Sequence, residues 1–110
     1  MYFAHCYPYT YTDLQNYLTG IAQDPARSEV CRQRVLCRSL CGNVCDLLTV
    51  TRFGCSSEEM AARKGIIVTS RVHPGESNAS WMMKGFIDFI TSEEPDAVTL
   101  LAPRIAHARA

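Results

Sequence analysis

A chain of 110 residues, 47% of them hydrophobic, has material for one modest core, and a second domain does not fit. Eleven basic residues balance eleven acidic ones, which excludes the electrostatic footprint of a nucleic-acid binder or of a protein held on an anionic membrane. The apolar runs are short and the N-terminal "MYFAHCYPYTYTDL" lacks a basic segment leading into an apolar one, so no membrane span or signal peptide is read and an intracellular, soluble chain is expected.

Thr12 to Ile21 reads as a helix, because Leu14, Tyr17, Leu18 and Ile21 recur at helical spacing and Thr12 with Gln15 has the pattern of a capping box. The segment "QRVLCRSLCGNVCDLLTVTR", from Gln33 to Arg52, carries two apolar or β-branched runs around Gly42-Asn43, a dipeptide suited to a tight turn, and predicts two antiparallel strands. Phe53 to Lys64 is polar and reads as a loop with at most one helical turn. Gly65 then releases the chain into "IIVTSRV", expected to be a buried central strand. The next helix is expected to start at a Ser77 or Asn78 cap, to gather Met82, Phe86, Phe89 and Ile90 on one face, and to pair Lys84 with Asp88 on another. After Pro95 a short helix and a flexible tail are expected. The order of elements predicts an α/β fold in which helices cover a mixed sheet.

Chemistry concentrates where the expected strand gives way to the helix, at "RVHPGESNASW". Pro74 restricts His73 to extended backbone and Gly75 allows a sharp turn, so His73 and Glu76 are able to converge. An imidazole and a carboxylate are suitable ligands for Zn²⁺, with further ligands from elsewhere. His-x-x-Glu also recurs by chance, and a purely structural turn fits the same residues.

The longer phrase "RVHPGESNASWMMKGFIDFI" resembles the cytosolic carboxypeptidases, a branch of the zinc metallocarboxypeptidases. "YFAHCYPYTYTDLQNYL" is similar to that family's segment leading into the catalytic domain and "VLCRSLCGNVCDLLTVT" to its hairpin, so the resemblance runs from about Tyr2 to Asp96. It implies part of a metallocarboxypeptidase fold over residues 1–96, with His73 and Glu76 as two of three protein ligands of a catalytic zinc. It gives Arg71 no substrate role. It further implies hydrolysis at a C-terminal peptide bond, removal of C-terminal or side-chain-linked glutamates from proteins such as tubulin, and a cytoplasmic, microtubule-associated setting. The resemblance stops near Val98, so residues 97–110 read as a divergent tail, and the family's third zinc histidine and catalytic glutamate have no counterpart. His107 is set aside as a substitute ligand because nothing nearby would orient it. The chain alone therefore reads as incomplete, and the competing reading is a non-catalytic binding or regulatory module.

The remaining features have plainer readings. Cys6, Cys31, Cys37, Cys41, Cys45 and Cys55 are expected to be free thiols, since the Gly42-Asn43 turn breaks any helix that would align Cys37, Cys41 and Cys45. Tyr2, Tyr7, Tyr9 and Tyr11 are expected to pack rather than stack on bases, and His5 with Cys6 to form a packed polar pair.

Overall fold

The structure, a computed structural model, describes residues 1–102. Its first helix, α1, covers Tyr11–Gln23. Leu18 and Ile21 are buried, and Leu14 and Tyr17 pack beside them, as their spacing predicts. The capping box lies two residues earlier than expected: Thr10, not Thr12, is the cap, and it exchanges hydrogen bonds with Asp13 rather than Gln15. Thr10 and Thr12 both offer a capping hydroxyl, and the helix starts at the one whose third following residue, Asp13, has a carboxylate able to return the bond.

Asp24 ends α1 and begins α2 (Pro25–Val30), an element not anticipated above. Asp24 precedes a proline and is extended, so the first helix stops there, while its carboxylate accepts from the amides of Ala26 and Arg27 at 2.9 and 3.1 Å. The strands β1 (Cys31–Arg38) and β2 (Val44–Val50) form the expected antiparallel pair. The turn between them is longer than a two-residue hairpin. The Gly42 amide donates to the Ser39 carbonyl at 2.9 Å, and within this turn Gly42 alone takes a positive φ, of 81°, a conformation in which a side chain would be strained.

A short helix α3 (Ser57–Ala61), capped by Ser56 and Glu59, fills the polar segment. The strand expected over Ile66 to Val72 does not form. Among the described residues β1 and β2 pair only with each other, so the run has no neighbour to complete a ladder, and Ile66, Ile67 and Val72 are 86%, 92% and 74% exposed. The sheet is accordingly two-stranded and antiparallel, and no mixed sheet is built from these residues.

Helix α4 (Ser77–Ile90) follows, and α5 (Pro95–Leu101) starts on its proline. The packed face of α4 is not the expected one. Met83 and Ile87 meet the core of Leu18, Ile21 and Cys31, whereas Met82, Phe86 and Phe89 are exposed. Apolar residues surround this helix on both sides, so periodicity does not select a single face. The Lys84–Asp88 pair does form, at 2.7 Å. It belongs to a larger polar joint in which Arg27 binds Asp88 at 2.9 Å and the Tyr17 hydroxyl donates to Asp88 at 2.7 Å, tying α1, α2 and α4 together. No helix among the described residues is long and apolar enough to cross a membrane.

Candidate metal centre

The segment before α4 is shaped by one residue whose backbone is unusual. Arg71 takes φ 57°, in the left-handed region that L-residues avoid, whereas Gly75, expected to supply the sharp bend, has no positive φ. The Arg71 side chain accounts for this geometry. Its Nε donates to the Pro74 carbonyl at 2.8 Å, and one terminal nitrogen donates to the Tyr9 carbonyl at 3.2 Å and to Ser80 Oγ at 3.0 Å. One guanidinium thus ties the entry segment, the His73–Glu76 turn and the first turn of α4 to one another.

Two further contacts hold the same corner. Ser70 Oγ donates to the Ala79 carbonyl at 2.6 Å, and Trp81 Nε1 donates to the Tyr7 carbonyl at 2.9 Å. Tyr7 and Tyr9 meet the Trp81 ring edge-on, at centroid distances of 5.9 and 4.8 Å. The expectation that the tyrosines pack holds for Tyr9, which is buried, and fails for Tyr2, which is fully exposed. His5 is exposed too, and Cys6 bonds the Tyr7 carbonyl instead of pairing with it.

Within this frame the Glu76 amide donates to the His73 carbonyl at 3.1 Å and the Ser77 amide to the Gly75 carbonyl at 3.1 Å, closing a tight turn on the first residues of α4. Glu76 itself occupies the cap position, in place of Ser77 or Asn78, yet its side chain makes no capping bond. His73 and Glu76 are both solvent-exposed. An imidazole and a carboxyl group, three residues apart on one turn and free of capping duty, are a donor set that suits Zn²⁺. Among the described residues no group of three or more histidine, cysteine or acidic side chains is assembled to hold a metal, and His107 lies outside those residues.

The sequence signals a turn at His73–Glu76 but not the residues that hold it in place. Arg71, Ser80 and Trp81 lie in the same quoted phrase, and an arginine two residues before the His73–Glu76 turn was the available signal. Tyr7 and Tyr9 carried none, because their partner is more than 70 residues away.

Comparison with curated proteins finds close relatives. The chain is 56% identical over 99 residues to cytosolic carboxypeptidase 2 of Homo sapiens, 54% identical over 99 residues to cytosolic carboxypeptidase 3 of Bos taurus, and 45% identical over 102 residues to cytosolic carboxypeptidase 4 of Homo sapiens. These alignments cover 90%, 90% and 87% of this chain but 11%, 10% and 9% of the relatives, so the chain spans about a tenth of the length of the proteins it matches. No family model and no solved structure matches it.

Proposed function

We propose that this chain, homologous over about nine tenths of its length to the cytosolic carboxypeptidases, contributes His73 and Glu76 as two protein ligands of a carboxypeptidase zinc centre. The observation that carries the reading is the exposed His73–Glu76 turn, locked by Arg71 and leaving the Glu76 carboxylate uncommitted at the start of α4. Zinc held there supplies Lewis acidity toward a scissile carbonyl. The chain's own residues do the positioning: Arg71 fixes the turn on one side, and Ser70, Ser80 and Trp81 fix α4 on the other.

The relatives' names speak of carboxypeptidases of the cytosol. We extend the reading to a cytoplasmic, microtubule-associated hydrolase acting on glutamates at protein C-termini or on side chains, with tubulin as the substrate class. Residues 1–96 are then part of its catalytic domain and 97–110 a divergent end. The described residues provide two ligands and no assembled third, so hydrolysis requires groups beyond them. On its own the chain is a ligand-bearing segment, which is where the binding-module reading and the enzyme reading meet.

A chimera tests this directly. The matching segment of the human cytosolic carboxypeptidase 2 is replaced by this chain's, and release of the C-terminal residue from a glutamate-ending peptide is measured. Retained activity that His73→Ala or Glu76→Gln each reduces by about 100-fold or more supports the reading. A folded chimera whose activity survives His73→Ala overturns it.

A further inference from the structure

The hairpin carries a second reactive pair, on a different element from the His73–Glu76 turn. Along β1 the residues Cys31, Gln33 and Val35 oppose Val50, Leu48 and Asp46 of β2. This is the side that faces the core and α1: Cys31 is buried, Leu48 and Val50 pack on the core, and Asp46 accepts from Gln15 of α1 at 2.9 Å. Strict alternation would keep Cys37 on that side, opposite Val44. The register instead shifts between Val35 and Cys37, so Leu36 is an extra residue and Cys37 stands directly opposite Cys45. Cys45 alternates with Asp46 and so lies on the outer face of the sheet, and the bulge turns Cys37 to join it.

Both thiols are exposed, and neither is in a disulfide. Directly opposed residues of an antiparallel pair have Cα atoms about 4.5–5.5 Å apart, inside the range of about 4.4–6.8 Å that a disulfide spans. Cys41, exposed as well, sits in the turn and is opposed by neither. The bulge therefore selects one pairing out of three.

We infer that Cys37 and Cys45 form a reversible oxidation site, closing to a cross-strand disulfide on the outer face of the hairpin when a disulfide oxidant such as oxidised glutathione is present. The Cys45 thiol is pushed up from its ordinary range by partial desolvation and then by the charge and hydrogen bond of Cys37, with Asp46 adding to it. Either thiol can begin the exchange; in one order Cys37 loses its proton to solvent and attacks first. Its thiolate attacks one sulfur of oxidised glutathione, breaking that S–S bond and releasing one glutathione thiolate. Cys45, giving up its proton, then attacks the Cys37 sulfur of the mixed disulfide and releases the second glutathione. Two cysteine thiols are oxidised and one molecule of oxidised glutathione is reduced to two of glutathione, with the two protons passing to the leaving thiolates. The site does not depend on the zinc reading.

The native chain is incubated with oxidised glutathione and its disulfides are mapped by mass spectrometry of proteolytic peptides, in parallel with the urea-unfolded chain. A loss of two mass units located to Cys37–Cys45, exceeding either pairing with Cys41 by about tenfold in the native chain, is the expected result. In the unfolded chain that preference vanishes, because the shorter loops from Cys41 close more readily. Cys41→Ser retains the product, and the reduced form returns with glutathione. Native pairing spread over Cys37, Cys41 and Cys45 without preference, or stable mixed disulfides at Cys37 with no closure, overturns the inference.

Discussion

Arg71 shows how much one side chain settles locally. Its backbone is in a conformation that costs an L-residue roughly 1 kcal/mol, and the three bonds of its guanidinium offset that cost. Arg71→Ala is expected to destabilise the chain by about 2 kcal/mol in urea unfolding, since two carbonyls and a hydroxyl lose a charged donor while the backbone strain stays. Arg71→Gly, which loses the same bonds but relieves the strain, is expected to be less harmful than alanine by up to about 1 kcal/mol. Equal losses for the two variants would show that the left-handed backbone is not strained. The turn from His73 to Glu76 was legible because His-Pro-Gly-Glu is contiguous, whereas the clamp depends on a contact from Arg71 to Tyr9, which no local pattern reports.

At the scale of elements the joint between α1, α2 and α4 is polar and partly exposed. Burial works against the charge on Asp88, yet hydrogen bonds from Lys84, Tyr17 and Arg27 outweigh it and hold the carboxyl below its usual range. A depressed carboxyl contributes stability that is present above the unfolded value, near pH 4, and is lost as pH falls through the folded one. The Tyr17 phenol is pushed far above its usual range, by burial first and then by its bond to Asp88, so its contribution is present below about pH 10 and is lost at higher pH. Tyr17→Phe is expected to cost about 1 kcal/mol at neutral pH and to reduce the alkaline loss of stability, both read from urea midpoints across pH. An unchanged alkaline limb would assign that loss to another group. These elements also mark where sequence reading stops. Helix α1 has one apolar stripe and was legible. Helix α4 has apolar residues on two sides, so its existence was legible and its buried side was not. The run Ile66–Val72 has strand composition, but a strand exists only with a partner, and none of the described residues supplies one.

At the scale of the whole molecule, the described residues are drawn out. Their radius of gyration is 16.7 Å, against about 13 Å for a compact chain of this length, and their extents are 68 × 27 × 26 Å. Among the described residues six apolar side chains are buried, while Ile66, Ile67, Val72, Met82, Phe86 and Phe89 face outward. That much open apolar surface is expected to bind a hydrophobic dye at neutral pH and to drive concentration-dependent association in sedimentation, with Ile67→Asp weakening both. A monodisperse chain that binds no dye would contradict it. The relatives are about ten times longer, and the segment's place in such a protein rests on whether its turn binds metal. The most direct measurement is a Zn²⁺ titration of the chain labelled with ¹⁵N-histidine, following the ring nitrogens of His5, His73 and His107. The account predicts that His73 responds first and that Glu76→Gln weakens its apparent affinity by about tenfold or more, leaving the other two histidines unchanged. Equal response of the three histidines, or a His73 response that ignores Glu76→Gln, would contradict the claim that this turn is a zinc-ligand pair.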